Sequence, residues 1–301
     1  MLIDLKNIQS DELENIAFTE KNIKVFVARL DLLHPVVSGN KIFKLQYFLE
    51  AGMQAQHKTL LSFGGAFSNH LLATAFASKA NGLKSIGIVR GEKPGNLSLT
   101  LQQCQDFGMQ LHFISRQEFK NAGDESYVNR LKAKFGNCIV IPEGGYHPLG
   151  ARGASLILGL LKNKEATHIC TATGTATTLA GLLLSAGENQ QVIAVPVIKN
   201  MTDIEDRVYQ LTHVIKHKNL QIIDGYHFGG YAKKNRELVN FMNEFYIQYC
   251  IPTDFVYTAK LMFAVQDKIN AGFFPPGSRI ICLHTGGLQG NHSLPRGTLI
   301  F

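Results

Sequence analysis

Short apolar runs alternate with helical patterns along most of the 301-residue sequence, and this alternation limits the folds that the chain can adopt. The strand-like runs of a first series are 59–63, 85–89, 110–114 and 138–142, with helical patterns near 69–80, 97–107 and 125–135. The strand-like runs of a second series are 167–172, 192–198, 221–224 and 279–284, with helical patterns near 177–186, 202–217, 232–250 and 258–271. Strands that alternate with helices are typical of βαβ units, so the pattern predicts parallel sheets.

The two series predict two α/β lobes, and a cleft between lobes is a common place for small ligands to bind. We expect residues 53–152 to form a small α/β domain. The larger domain would combine residues 1–52 with residues 153–301. Residues 22–33 favour a β-strand, which we expect at the edge of a sheet.

The net charge of +7, from 30 Lys and Arg against 23 Asp and Glu, would suit a nucleic-acid partner. The basic residues are scattered, however, and their densest clusters carry no interleaved aromatic residues, so we expect no nucleic acid. A basic chain also attracts anionic small molecules. No run reaches 18 apolar residues, and the N-terminus lacks a basic segment followed by a long apolar one. We therefore expect neither a membrane span nor a signal peptide.

The five cysteines are widely spaced, odd in number and free of any CxxC pair. Cys138, Cys170 and Cys282 lie in strand-like runs, which predicts buried thiols that stay reduced. Reduced thiols indicate a reducing compartment, and we expect the cytoplasm. The spacing of the cysteines predicts no metal site.

A lysine pair follows the flexible Ser38-Gly39 step. Asn40-Lys41 leads into an apolar helical pattern over 42–49, which places Lys41 at the start of a helix and Lys44 one turn later. A desolvated lysine at such a junction has a lowered pKa and becomes an amine nucleophile that can form a Schiff base. The alternative is a solvated pair of first-turn lysines, the commoner situation for this residue type.

Residues 60–73 indicate a strand, a Gly64-Gly65 turn and then a helix for which Ser68 is the natural N-cap. The free N–H groups after Ser68, with the positive end of the helix, suit a small anion such as a substrate carboxylate. An ordinary capped helix after a glycine turn is the alternative.

Residues 169–181 again indicate a buried strand that leads into a helix, here through a turn rich in threonine. Threonine hydroxyls and backbone N–H groups at a helix start can hold a phosphate. The stretch lacks the lysine of a Walker loop and the spaced glycines of a dinucleotide fingerprint, so neither of those sites is expected. The alternative is a threonine-rich turn without a ligand.

A fourth stretch, 253–260, places Tyr257 at the beginning of a helical pattern that Thr258 can cap. Tyr257 has a structural alternative, because a buried tyrosine hydroxyl usually has a partner within the protein. The last apolar strand is followed by His284-Thr285-Gly286-Gly287.

Six motifs in this order resemble the 1-aminocyclopropane-1-carboxylate deaminase/D-cysteine desulfhydrase family, whose members are pyridoxal-phosphate enzymes of the tryptophan synthase β fold type. The similarity runs from about residue 24 to residue 290. The motifs are SGNK-x-x-K-L-x-Y, GG-x-x-SNH, IP-x-GG-x-x-x-LG, the threonine-rich loop, VYT-x-K and HTGG.

The resemblance implies an α/β fold of two parallel-sheet αβα lobes, with pyridoxal 5'-phosphate in the cleft between them. It implies that Lys41 carries the cofactor as a Schiff base and that Asn69 bonds the cofactor's phenolic oxygen. Thr258 would sit at the pyridine nitrogen. The cofactor phosphate would be held by Lys44 and by a loop of five residues: Gly174, Thr175, Ala176, Thr177 and Thr178.

The resemblance also implies a substrate site. Ser68, Asn69 and His70 would bind the substrate carboxylate, while Tyr231 and Tyr257 would face the reacting atoms. The catalytic residues are therefore expected to be Lys41, Ser68, Tyr231 and Tyr257. The family leads us to expect a homodimer acting on a small amino acid.

We expect β-elimination from an amino acid such as D-cysteine, because Thr258 is neutral where the cyclopropane-opening members of the family resemble one another in carrying an acidic residue. The alternatives are 1-aminocyclopropane-1-carboxylate deaminase, another dehydratase or racemase, and a pyridoxal-phosphate-binding protein without turnover.

The chain departs from the family pattern at four places. Ile42-Phe43 replaces a pair that usually contains arginine, and Ala176 stands where a loop glycine is common. These two changes concern the grip on the cofactor. Tyr146 follows Gly145 where serine is typical, and Leu288-Gln289 replaces a Pro-Ala-rich turn. These two changes concern the substrate pocket.

Overall fold

The computed structural model describes residues 8–54, 58–136 and 138–301. Its strands are β1 Ser10–Glu12, β2 Lys24–Ala28, β3 Thr59–Gly64, β4 Lys84–Arg90, β5 Gln110–Ile114, β6 Ile139–Ile141, β7 His168–Thr173, β8 Gln191–Pro196, β9 Leu220–Ile222 and β10 Arg279–Leu283. Its α-helices are α1 Ile16–Glu20, α2 Lys41–Gln54, α3 Asn69–Ala80, α4 Leu99–Asp106, α5 Arg116–Phe119, α6 Glu125–Phe135, α7 Pro148–Ala154, α8 Leu156–Leu160, α9 Thr177–Ser185, α10 Ile204–Thr212, α11 Arg236–Tyr249 and α12 Thr258–Asn270.

The described strands form two sheets, as the alternating pattern predicts. One sheet has the order β1-β2-β10-β7-β8-β9, and the other has the order β5-β4-β3-β6. Every pair of neighbouring strands is parallel except β1 and β2. All six residues of β7 are buried, which is typical of a parallel strand whose sheet has helices on both faces. The α/β class with parallel-rich sheets is confirmed.

The edge position expected for residues 22–33 is wrong. The strand within this stretch, β2, lies between β1 and β10. The edge is β1, which pairs with β2 in the antiparallel direction with Ser10 opposite Ala28. Three residues are too few to show a β periodicity in the sequence. The stretch leaves the strand after Ala28 and turns at Leu30–Leu32.

Helix α10 is shorter than the predicted 202–217, because His213 has a φ of 58° and ends the helix in a left-handed conformation. Helices α7 and α8 had no expected counterpart. Cys138, Cys170 and Cys282 are buried and free, as predicted. Among the described helices, none is both long and apolar enough to cross a membrane.

Helix α7 packs directly on the helix that begins with Lys41. A methyl group on Gly153 of α7 would overlap the carbonyl oxygen of Phe43 in α2. The two backbones therefore touch, and only glycine leaves room for this contact. The strands of the four-stranded sheet lie within residues 59–141, and those of the six-stranded sheet lie before and after this range. The domain boundaries at 52/53 and 152/153 stay a prediction.

Candidate active site

Loops at the carboxyl ends of parallel strands carry most of the predicted site residues. Strand β3 leads to Ser68 and α3, β7 leads to the loop 174–178 and α9, and β10 leads to 284–287. Loops at this end of a parallel sheet are the usual ligand-binding positions of α/β proteins.

Lys41 is the first residue of α2, as predicted, and its position depends on a close backbone approach. Gly39 has a φ of 75°, and a methyl group there would overlap the carbonyl oxygen of Thr285. The next residue, Asn40, donates its backbone N–H to that same oxygen over 3.2 Å. The turn before Lys41 is thereby fixed to the loop that follows β10.

Asn40 connects Lys41 to the threonine-rich loop. Its Oδ1 accepts a hydrogen bond from Lys41 Nζ at 2.5 Å, and its Nδ2 donates to Thr178 Oγ1 at 2.7 Å. Thr178 accepts in this contact, so its own hydroxyl proton is free for another acceptor. Asn40 was not among the predicted site residues, although it directly precedes the lysine.

Lys41 and Lys44 form a pair of amines in which Lys44 is buried and Lys41 is partly buried. Burial lowers the pKa of Lys41 to about 8, with the charge of Asp254 opposing the shift. Burial, and then the charge of Lys41, lower the pKa of Lys44 well below its usual value. Lys44 Nζ donates to the carbonyl oxygen of Gly144 at 3.3 Å. No ion pair in the described ranges includes either lysine, so both lack the anionic partner that buried charges require.

The start of α3 presents buried polar atoms that have no partner. Ser68 caps the helix by accepting the Leu71 N–H at 3.2 Å, as predicted. Asn69 donates its Nδ2 to the Ser38 carbonyl oxygen at 3.4 Å, but Asn69 Oδ1 and both ring nitrogens of His70 find no partner in the described part of the chain. Such unpaired groups are costly, and a bound ligand would satisfy them.

His70 is an uncharged imidazole at neutral pH. Burial, and then the charges of Lys41 and Lys44, lower its pKa to about 3. A neutral imidazole carries one donor and one acceptor nitrogen. It can therefore bond a polar ligand without adding charge beside the two lysines.

The threonine-rich loop has the geometry of an anion cradle. Ala176, at the start of α9, has a φ of 64°, a left-handed conformation that costs free energy in any residue with a side chain. The hydroxyls of Thr175 and Thr177 lie 2.9 Å apart. The N–H groups at the start of the following helix have no intrahelical partner and can bond phosphate oxygens.

Tyr231 and Tyr257 come together although they are far apart in the sequence. Their hydroxyl oxygens lie 3.3 Å apart, and their rings meet nearly edge to face. Gly174 lies against the Tyr257 ring, since a methyl group there would be 3.2 Å from its Cε1. The pKa of Tyr257 is raised well above its usual value, mainly by burial. The Tyr257 hydroxyl is therefore neutral at physiological pH and can donate a proton.

The start of α12 corrects the prediction that Thr258 caps this helix: Thr258 is its first residue, and Asp254 accepts the backbone N–H groups around the helix start. Its Oδ1 accepts the N–H groups of Val256 and Tyr257 at 2.8 Å, and its Oδ2 accepts the N–H of Thr258 at 3.0 Å. The Thr258 hydroxyl shares a further 2.8 Å hydrogen bond with Asp254 Oδ2. Asp254 is fully buried. An acidic residue just before a helical run is the signal that could have identified it.

The four departures from the family pattern have different surroundings. Phe43 is fully buried in the core beneath α2. The Tyr146 hydroxyl donates to the backbone carbonyl oxygen of Arg207 at 3.4 Å. Residues Leu288–Ser293 form a 3₁₀ turn directly after Gly287, which lies against the Asn69 side chain.

The residues present fit pyridoxal phosphate. The site offers an amine with a lowered pKa in Lys41, a buried second amine in Lys44, a threonine-rich helix start over 174–178 and unpaired polar atoms on Asn69 and His70. An aldehyde, a phosphate and a substrate carboxylate are the groups that such a set of donors can accept.

The sequence profile of the family described as "Pyridoxal-phosphate dependent enzyme" matches residues 9–286, nearly the whole chain. The chain therefore belongs to this family, and it is a pyridoxal-phosphate-dependent enzyme with the tryptophan synthase β-like fold.

Within that class, the resemblance to the 1-aminocyclopropane-1-carboxylate deaminase/D-cysteine desulfhydrase family is confirmed. A protein of Thermotoga maritima with the provisional name 1-aminocyclopropane-1-carboxylate deaminase is 33% identical over 286 residues, covering 88% of this chain and 89% of that protein. The bifunctional mitochondrial D-cysteine desulfhydrase/1-aminocyclopropane-1-carboxylate deaminase of Arabidopsis thaliana is 27% identical over 312 residues, covering 92% of this chain and 75% of that protein.

Solved structures agree with this assignment. The crystal structure of an ACC deaminase homologue superposes with a TM-score of 0.80 at 26% identity, covering 96% of this chain and 92% of that one. A processed threonine deaminase of Solanum lycopersicum superposes with a TM-score of 0.68 at 12% identity, covering 97% and 87%, which shows a shared fold.

Proposed function

We propose that the protein is a deaminating lyase that eliminates the β-substituent of a small amino acid such as D-cysteine, releasing an α-keto acid, ammonia and sulfide. The observation that carries the proposal is the pair of buried Lys44 and partly buried Lys41, which form no ion pair with the residues that the structure describes, together with the unpaired polar atoms of Asn69 and His70. The printed activities of the Arabidopsis relative support the same reaction class.

Bound pyridoxal phosphate supplies the electron sink that makes the α-proton of an amino acid removable. In our proposal Lys44 and the loop 174–178 hold the phosphate. Lys41 would hold the cofactor at its aldehyde, and as a free amine it would be the base for the α-proton. A pKa of about 8 suits this role, because a general base works best when its pKa lies near the working pH.

The carboxylate of the substrate would lie at the start of α3. Ser68, Asn69 and the N–H groups of the first turn offer donors there, and neutral His70 adds one more. A carboxylate held at this point would orient the α-carbon toward Lys41. The substrate and the base would then react from a fixed geometry and not after a chance collision.

Tyr231 and Tyr257 would provide the proton for the leaving group. Both hydroxyls stay protonated at neutral pH, because a tyrosine has an ordinary pKa of about 10 and the pKa values of both are raised above it. A thiol has a pKa of about 8.5, so a thiolate leaves readily even with modest assistance.

Ring opening of 1-aminocyclopropane-1-carboxylate is the second candidate, and a specific contact favours it. We expected Thr258 to be a neutral hydroxyl without charged support, whereas its hydroxyl shares a hydrogen bond with the buried carboxylate of Asp254. The group proposed to contact the pyridine nitrogen is still the Thr258 hydroxyl and not the carboxylate itself. This supports elimination, because that reaction removes an α-proton and needs a weaker electron sink than carbon–carbon cleavage does.

The test is a comparison of products from the purified holoenzyme. We expect sulfide and pyruvate from D-cysteine to appear faster than ketobutyrate from the cyclopropane acid, with L-cysteine and D-serine as further substrates. Borohydride reduction and peptide mapping should locate the cofactor on Lys41, and Lys41→Ala should abolish product formation. Faster ring opening than sulfide release would overturn the substrate proposal, and an adduct on Lys44 would overturn the role of Lys41.

A further inference from the structure

Lys260 is a buried ammonium that the proposed mechanism does not use. It lies in α12 and is fully buried, and its Nζ donates to the carbonyl oxygens of His227 and Gly230 at 2.8 Å each. No ion pair within the described ranges includes Lys260. Because burying a charge is costly, the two carbonyl groups must supply most of its compensation. Burial lowers the pKa of Lys260 to about 8, with Asp254 opposing, so the group remains mainly charged at neutral pH.

The loop that Lys260 contacts has a strained backbone. Between β9 and α11, positive φ angles occur at Phe228 (50°), Gly229 (93°), Gly230 (123°) and Ala232 (54°). Phe228 and Ala232 carry side chains that disfavour this conformation. A loop of this kind persists only where its surroundings hold it in place.

Helix α12 provides those surroundings. The rings of Tyr226 and Phe228 pack against Phe263 with centroid separations of 6.2 and 5.1 Å. Phe263 lies three residues after Lys260, so a polar and an apolar anchor on one helix hold the same loop. The residue that follows Gly230 is Tyr231.

We propose that Lys260 is a positioning residue that sets the Tyr231 hydroxyl against Tyr257. Tyr257 directly precedes α12, one turn before Lys260, so both tyrosines take their position from a single helix. Lys260 therefore acts through Tyr231 and does not touch the reacting atoms. The proposal rests on the proposed function, in which the two tyrosines serve the leaving group.

The test uses holoenzyme variants and two independent measurements. Lys260→Met keeps the apolar stem of the side chain and removes its donors. We expect kcat to fall by about 10- to 100-fold, the size of effect that follows when a catalytic group moves by about 1 Å. We also expect the backbone amides of residues 227–233 to exchange hydrogen at least about tenfold faster, because the loop opens locally.

A double-mutant cycle separates positioning from general structure. In a Tyr231→Phe background, Lys260→Met should lower kcat by less than about twofold, because residues that act through one group are not additive. Lys164→Met is the matched control, since Lys164 also donates to two backbone carbonyls, those of Leu158 and Gly159, on an exposed part of the chain. It should leave kcat and the exchange of the 227–233 loop unchanged.

Additive losses in the cycle, or unchanged exchange of the loop, would overturn the role of Lys260. If Lys260→Met does not yield folded protein, Lys260→Gln provides the same test, and exchange rates equal to those of the parent protein would count against the proposal. Hydrogen exchange is measured without substrate. A failure of the proposed function, seen as no turnover of any amino acid by the parent enzyme, is therefore distinguishable from a failure of this proposal.

Discussion

At the scale of residues, the site is defined by Lys41 and Lys44, which lie one helical turn apart. The two lysines differ in their hydrogen-bond partners and in the charges near them. Lys41 donates a hydrogen bond to Asn40, and the charge of Asp254 favours its ammonium form. Among the described residues, Lys44 donates to one carbonyl oxygen, that of Gly144. Burial favours the neutral amine in both. One of the two is suited to become a nucleophile and the other to receive an anion that restores its charge.

The lowered pKa of Lys41 leads to a pH prediction for the protein without cofactor. Labelling of Lys41 by trinitrobenzenesulfonate, followed by peptide mapping, should become faster as pH rises and level off above about 8. A solvated lysine would keep gaining reactivity up to about 10.4. The same shift predicts that stability rises between about pH 8 and pH 10, because the unfolded chain then binds more protons than the folded chain. Labelling that levels off only near pH 10 would contradict the buried environment of Lys41.

At the scale of elements, the junction between β7 and α9 forms the loop that we propose as the phosphate site. The strained Ala176 places the hydroxyls of Thr175 and Thr177 side by side, and Thr178 reaches Asn40 on the neighbouring helix. The loop is therefore hydrogen-bonded to the residue that precedes Lys41. In our proposal, a displacement of α9 would change both the contacts to the phosphate and the position of Lys41.

Replacing both Thr175 and Thr178 by valine should weaken cofactor retention by about 10²- to 10⁴-fold, because a hydrogen bond to a charged group contributes about 1.5–3 kcal/mol. Valine has nearly the shape of threonine, so the fold should persist. Equilibrium dialysis against free cofactor measures the change. Thr212→Val at the end of α10 is the matched control and should retain the cofactor like the parent, because the Thr212 hydroxyl bonds Val208, Val214 and His217 and none of the proposed site residues. Equal retention by the double variant would show that the phosphate binds elsewhere.

At the scale of the whole molecule, glycine contacts bring the helices of the site together. Gly153 lets α7 touch α2, and Gly39 lets the turn before Lys41 touch the loop after β10. Both contacts join backbone to backbone, which leaves no side chain to adjust when a methyl group is added. The position of Lys41 therefore depends on packing on two sides.

Gly153→Ala should lower the free energy of unfolding by about 1–3 kcal/mol, the usual cost of overpacking a core. Because α2 must shift to accommodate the methyl group, cofactor affinity should fall as well. Gly159→Ala in α8 is the control, since a methyl group there meets open space and should be neutral or raise stability by up to about 1 kcal/mol. Thermal unfolding with and without cofactor would measure both changes. A Gly153→Ala protein as stable as the control would show that the helix contact is looser than described.

Local sequence patterns were sufficient to predict most of the described elements. The bounds of α3 and α6 match the predicted 69–80 and 125–135, and Ser68 caps α3 as expected. Periodicity and capping depend on residues only a few positions apart, so a single stretch of sequence contains all the information they need. The positions of Lys41 and Lys44 on a helix start follow from the same kind of signal.

Contacts between distant residues could be found only in the tertiary structure. Asn40 meets Thr178 across 138 positions, Lys260 meets His227 across 33, and β1 pairs with β2 in a direction that no local pattern indicates. The sequence by itself determined the order of strands and helices and the placement of Lys41 and Lys44 at a helix start. Through its motifs, it also determined the resemblance to a family of pyridoxal-phosphate enzymes. The tertiary structure decided that Lys44 is buried, that Lys41 is partly buried and that neither forms an ion pair within the described ranges. It also decided that Asp254 bonds Thr258. Burial and hydrogen-bond partners are properties of packing, and packing joins residues that the chain order keeps apart.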